Sequence, residues 1–131
     1  MDYTKYAALA QQGAELVEKG EYESALEVFR TLIASDISDV DKASMCYNAA
    51  FVLEKLGKET ETLASYDRGM SYERMHSRSF VAEHKAAYLS RIGRNKESLR
   101  LYEELKLRPS LTEEEKYRIA YNIELLRQQS T

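Results

Sequence analysis

The chain has 131 residues, 31% of them charged and 44% hydrophobic, with a net charge of −3. That length supports one hydrophobic core and that balance excludes a disordered chain, while so small a charge does not select a polyanion by bulk electrostatics. One proline, five glycines and no tryptophan leave little room for a turn-dense all-β domain, and the single Cys46 excludes an internal disulfide and a cysteine-based zinc site. The opening Met-Asp-Tyr-Thr-Lys lacks the basic-then-apolar build of a signal peptide. No run approaches the roughly 18 apolar residues of a membrane span, so cytoplasmic residence is expected.

Over residues 4 to 19, Ala8, Leu9, Gln12, Gly13 and Leu16 share one helical face. Gly20 stops this first helix, as a left-handed cap does without steric cost. Tyr22, Ala25, Leu26, Phe29, Leu32 and Ile33 define a second, so a two-helix hairpin is predicted. Ser38, with Asp41 three residues on, reads as an N-cap with an acidic first turn for a third helix running to Leu56. Gly57 ends it, and a fourth helix carries Leu63, Tyr66 and Met70. A fifth covers about 78 to 92 and stops at Gly93; a sixth continues to about Leu107, where Pro109 prevents extension. Thr112-Glu-Glu-Glu115 is a capping box that opens a seventh helix running nearly to the end.

The stop glycines Gly20, Gly57 and Gly93 lie 37 and 36 residues apart. Aligned on them, Gly13, Ala50 and Ala86 coincide as small residues where helices approach closely. Leu16, Leu53 and Leu89 coincide, as do Leu26, Leu63 and Leu99. So do Phe29, Tyr66 and Tyr102, and the small residues Ala25, Thr62 and Ser98. Agreement at five kinds of position indicates an internal repeat. The chain thereby resembles the tetratricopeptide repeat (TPR) family, best matched at Gly13, Gly20, Tyr22, Ala25 and Phe29. The resemblance implies an all-α, right-handed α-solenoid of three TPR-like helix-turn-helix repeats plus a C-terminal seventh helix. Repeats at about 4–37, 39–75 and 78–110, with a terminal helix at about 112–128, make a single domain over 1–131. Thr62, Ser98, Glu59 and Asn95 depart from the family pattern.

Lys116, Tyr121 and Asn122 follow Lys42, Tyr47 and Asn48 by 74 residues, so the last helix reads as the first half of a fourth repeat. Ile119, Ile123 and Leu126 form one of its stripes, and Tyr117, Tyr121 and Leu125 a second nearly opposite. Both sides are therefore expected to be covered. The second stripe either lines the concave surface or makes Tyr117, Tyr121 and Leu125 a self-association face that yields a homodimer.

Little in the chain points to chemistry. His76 and His84 lack the carboxylates of a metal-binding helix motif, and His84 is expected to face the groove. Cys46 falls on a packing face, where it reads as a buried, inert small hydrophobe. Asp36, Asp39 and Asp41 lack the glycine and ligand order of a calcium loop. Neither a phosphate cradle nor a nucleophile elbow is present, so no enzyme activity, cofactor or metal is expected. Residues 76 to 110 hold eight basic against four acidic side chains, short of the dense basic, aromatic-laced stripe that nucleic acid binding requires.

The resemblance implies that the first helix of each repeat lines a concave groove. On these helices the face beside the packing stripe offers Ala7, Ala10, Gln11 and Ala14, then Ser44, Tyr47, Asn48 and Phe51. It continues with Glu83, His84, Ala87 and Arg91, and then Arg118, Tyr121, Asn122 and Leu125. Family members that hold extended peptides often carry an Asn where Asn48 stands, an amide able to donate and accept at once. Tyr47 and Phe51 supply an aromatic wall. Ala10, Phe80 and His84 replace the cations of the family's carboxylate clamp, which disfavours that use. The expected function is a non-catalytic adaptor binding a partner peptide or helix through Tyr47, Asn48, Phe51, His84, Arg91, Arg118, Tyr121 and Asn122. The rival is a self-assembling scaffold.

Overall fold

The computed structural model describes residues 1–129 as seven helices, with no strand among them. They are α1 (Tyr3–Glu18), α2 (Tyr22–Ile33), α3 (Asp39–Lys55), α4 (Glu59–Arg74), α5 (Phe80–Arg91), α6 (Asn95–Lys106) and α7 (Glu113–Gln129). The fold is an all-α array of three TPR-like hairpins closed by α7.

One chain reversal is used three times. Gly20, Gly57 and Gly93 take positive φ of 75°, 74° and 84°, the left-handed conformation that a side chain resists. The amide after each glycine then donates back to the carbonyl of the aligned leucine: Glu21 to Leu16 at 2.9 Å, Lys58 to Leu53 at 3.0 Å, and Arg94 to Leu89 at 2.8 Å. These bonds satisfy the orphan carbonyls at the helix ends and set the angle of each hairpin. Within the hairpins Ala25, Thr62 and Ser98 are fully buried, and Phe29, Tyr66 and Tyr102 nearly so. The polar substitutes are satisfied: Thr62 Oγ1 donates to the Lys58 carbonyl at 2.7 Å and Ser98 Oγ to the Ala86 carbonyl at 2.6 Å.

The core has two parts that meet at α3. Met45, Cys46, Ala49 and Val52 pack with α1 and α2, whereas Ala43 and Ala50 join Tyr66 and Met70. Cys46 is fully buried, and burial pushes its thiol up to about 11, as an inert core residue requires. The Thr112–Glu115 capping box forms reciprocally, at 3.0 and 3.1 Å, and Ser38 Oγ accepts from the Asp41 amide at 3.1 Å.

Three expectations need correction. The fifth helix starts at Phe80 rather than 78, because Ser77 takes φ 56° and the helix N-terminus is held from outside. Glu73, at the end of α4 and only 2% exposed, accepts the amides of Val81 and Ala82 at 2.8 and 2.9 Å. The last helix is not covered on both sides: Ile119, Ile123 and Leu126 are buried, but Tyr117 is 76% exposed and Tyr121 57%. The first helix is likewise open at Ala8 and Gln12.

Two substitutions test this packing. A Cβ on Gly69 would lie 2.9 Å from Cys46 Cβ and 3.0 Å from Val81 Cγ1. Gly69→Ala is therefore expected to lose about 1–3 kcal/mol in urea unfolding, despite its better helix propensity. Burial, ahead of the two amide bonds, raises the Glu73 carboxyl pKa. The folded state then holds that proton more tightly than the unfolded chain. The stabilisation is full below the ordinary glutamate range and lost as pH rises through the raised value. As pH rises through and above the ordinary glutamate range, Glu73→Gln should show a shallower fall of stability than the parent protein.

Candidate peptide-binding groove

The spaces between the odd-numbered helices form the candidate site. Ala14, Val17 and Glu18 of α1 and Tyr47, Asn48 and Phe51 of α3 enclose a cavity of about 310 Å³ with Phe29 at its base. The reason is compositional. Alanine at position 14 leaves the room that Phe51, the aligned residue of the next copy, would fill. Lys55 stands over the Phe51 ring, 5.2 Å from its centroid.

The aromatic lane continues onto α5. Tyr47 meets Phe80 edge-on with centroids 5.1 Å apart, and the His84 ring lies 4.4 Å from Tyr47 and 4.6 Å from Phe80. Burial among these rings, opposed by the Glu83 charge, lowers the His84 pKa, so its imidazole is neutral near pH 7. A second space of about 250 Å³ opens beside Phe80, Glu83, His84 and Arg118.

The groove cations are already engaged. Arg91 grips Glu54 through two bonds of 2.8 and 3.1 Å, and Arg118 grips Glu83 at 2.6 and 3.0 Å. Both guanidinium pKa values are raised, first by these bonds. Asn48 contrasts with them: its amide nitrogen reaches only Met45 Sδ, a weak acceptor, at 3.9 Å. Asn122 Nδ2 turns back to the Arg118 carbonyl at 3.0 Å, and Tyr121 stands in solvent on α7.

The structure thus brings Tyr47, Asn48 and Phe51 around one cavity and His84 onto Tyr47, while Arg91 and Arg118 serve as ties between helices. Sequence reasoning placed Phe80 at a clamp position without using it as a groove wall, and passed over Val17 and Glu18. Phe80 stands one turn before His84, and that i, i+4 spacing was the available signal. Among the described residues no group of three or more His, Cys, Asp or Glu side chains is placed to hold a metal ion, and no helix is long and apolar enough to cross a membrane.

No protein-family model matches this chain, and no curated protein matches it in sequence. Solved structures share its fold, two of them as follows. One is the type III secretion chaperone SycD of Yersinia enterocolitica in complex with a peptide of the translocator YopD. It is 16% identical with a TM-score of 0.74, and the match covers 99% of this chain and 98% of that one. The other is the type III secretion translocator chaperone SycD of the same organism, 19% identical with a TM-score of 0.69, covering 99% and 88%. At these identities the likeness is one of fold.

The neutral, stacked state of His84 can be tested by NMR titration. Its ring resonances should shift with a midpoint below the ordinary value of 6.5. Tyr47→Ala or Phe80→Ala, by letting water in, should move that midpoint back toward 6.5.

Proposed function

We propose that this protein is a non-catalytic, chaperone-like binding module that holds a segment of a partner protein in the groove between its odd-numbered helices. The observation that carries this reading is the cavity walled by Tyr47 and Phe51, with the weakly engaged Asn48 amide at its edge. An apolar side chain of the partner enters the cavity, and its backbone bonds Asn48, a mode of recognition indifferent to neighbouring side chains. The fold shared with a chaperone solved in complex with a translocator peptide supports the same use here.

Charge plays a minor part in this reading. Arg91 and Arg118 are each held by a carboxylate in two bonds, so an acidic ligand would have to displace a partner already in place. Affinity comes instead from desolvating aromatic surface on a frame that is stiff before the ligand arrives.

A triple variant, Tyr47→Ala, Asn48→Ala and Phe51→Ala, tests the groove. Proteins captured by the wild type are identified from lysate, and the bound segment is mapped and titrated calorimetrically against both forms. The variant should keep its helicity and lose at least about tenfold in affinity, given that anchoring aromatics commonly carry more than 1 kcal/mol each. Raising salt should change the wild-type affinity little. A folded variant that binds the same segment with unchanged affinity would exclude the groove.

A further inference from the structure

Two cavities of the groove share an aromatic partition. Tyr47 walls the one of about 310 Å³ between α1 and α3. Its ring meets Phe80 and His84, which line the one of about 250 Å³ beside Glu83 and Arg118. A segment lying in both cavities crosses this partition, where Phe80 is half exposed and His84 part-buried. His84 is the member that titrates near neutrality. Among the described residues neither nitrogen of its ring has a hydrogen-bond partner, so water serves them.

The charges around His84 are already committed. Glu83, one residue before it, is held by Arg118 of α7 in bonds of 2.6 and 3.0 Å. Glu54 of α3 is held by Arg91 of α5 in bonds of 2.8 and 3.1 Å. On α7, Glu114 lies 3.6 Å from Arg118, and Glu115 accepts from Ser79 and from the Thr112 amide. Lys85 is drawn to Asp67 on α4 at 2.6 Å, and α3 faces the ring with the Tyr47 phenol. An imidazolium at this position is favoured by Glu83 and opposed by burial, Arg91 and Arg118. With no carboxylate to spare, its charge depends on water, and a segment laid over the partition removes that water.

We propose that the groove takes its partner with His84 neutral, so that binding releases a proton and mild acidification weakens the complex. It rests on the groove being the binding face, and it makes His84 the residue through which that face responds to pH. The covered ring holds its proton less tightly than the open one. Affinity is therefore full above the midpoint of the open ring and falls below it, by up to about tenfold per pH unit for one proton.

A synthetic peptide probe comes from a random library selected on the wild type at about pH 8, where the imidazole is neutral, and counter-selected on the Tyr47→Ala, Asn48→Ala, Phe51→Ala form. Asp, Glu, His and Cys are left out of the library and the peptide's ends are blocked, so that any pH dependence belongs to the protein. In calorimetric titrations the wild-type affinity should fall once pH drops below the midpoint of the His84 ring resonances in the unliganded protein, approaching about tenfold per pH unit. His84→Phe keeps a ring between Tyr47 and Phe80 and cannot titrate, so its affinity should stay level over the same range. His76→Gln, which removes the other histidine, should follow the wild type. With the peptide at saturation the His84 resonances should titrate at a lower pH than in the unliganded protein, a readout that needs no substitution. A wild-type affinity that is level or rises on acidification overturns the proposal. So does a His84 midpoint that the peptide leaves in place or raises, and so does a His84→Phe form that keeps the wild-type dependence. A library that returns no peptide depending on Tyr47, Asn48 and Phe51 overturns the groove itself, and the proposal with it.

Discussion

The structure depends on the close crossing of the two helices in each hairpin. A Cβ on Gly13 would lie 2.5 Å from Cε1 of Phe29, so the first crossing exists only because that position carries no side chain. Alanine serves at the equivalent Ala50 and Ala86, where the facing aromatics are Tyr66 and Tyr102. With the helices this near, Ala25, Thr62 and Ser98 lose all contact with water, and any hydroxyl there needs a partner in the backbone. Thr62 and Ser98 both find one, which is why a departure from alanine is tolerated in the second and third copies.

The groove face follows from that geometry. Packing the hairpins tightly leaves the odd-numbered helices side by side, and the spaces between them are set by which residues are small. Ala14 leaves a cavity where Phe51 repeats its register; further along, Tyr47 lies against Phe80 and His84. The salt bridges Arg91–Glu54 and Arg118–Glu83 span neighbouring odd helices. Each joins an exposed guanidinium to a part-buried carboxylate, so the pairs hold the lane in register and engage both cations.

A repeat array has two ends, and here they differ. At the N-terminal end Leu9, Leu16 and Val28 line an open cavity. On α7, Glu124 stands at the position aligned with Ala50 and Ala86, and Tyr117 and Tyr121 stand in solvent. A polar outer face would be the ordinary way to end such an array, and α7 has one only in part.

The sequence by itself determined the helices, the three glycine turns and the identity of the hairpin core. These rest on spacings of three, four and about 37 residues that backbone geometry reads directly. The Thr112–Glu115 capping box and the Ser38 cap were legible because each involves a side chain and its own near neighbours. Tertiary structure decided the rest. That Glu73 caps α5 depends on where α4 ends in space, and that His84 is neutral depends on rings from two helices. Arg91 and Arg118 were legible as groove residues but not as ties, because their partners are 37 and 35 residues away. Whether Tyr121 is covered was also beyond reach, since a stripe of apolar residues has the same spacing whether a neighbour stands over it or water does.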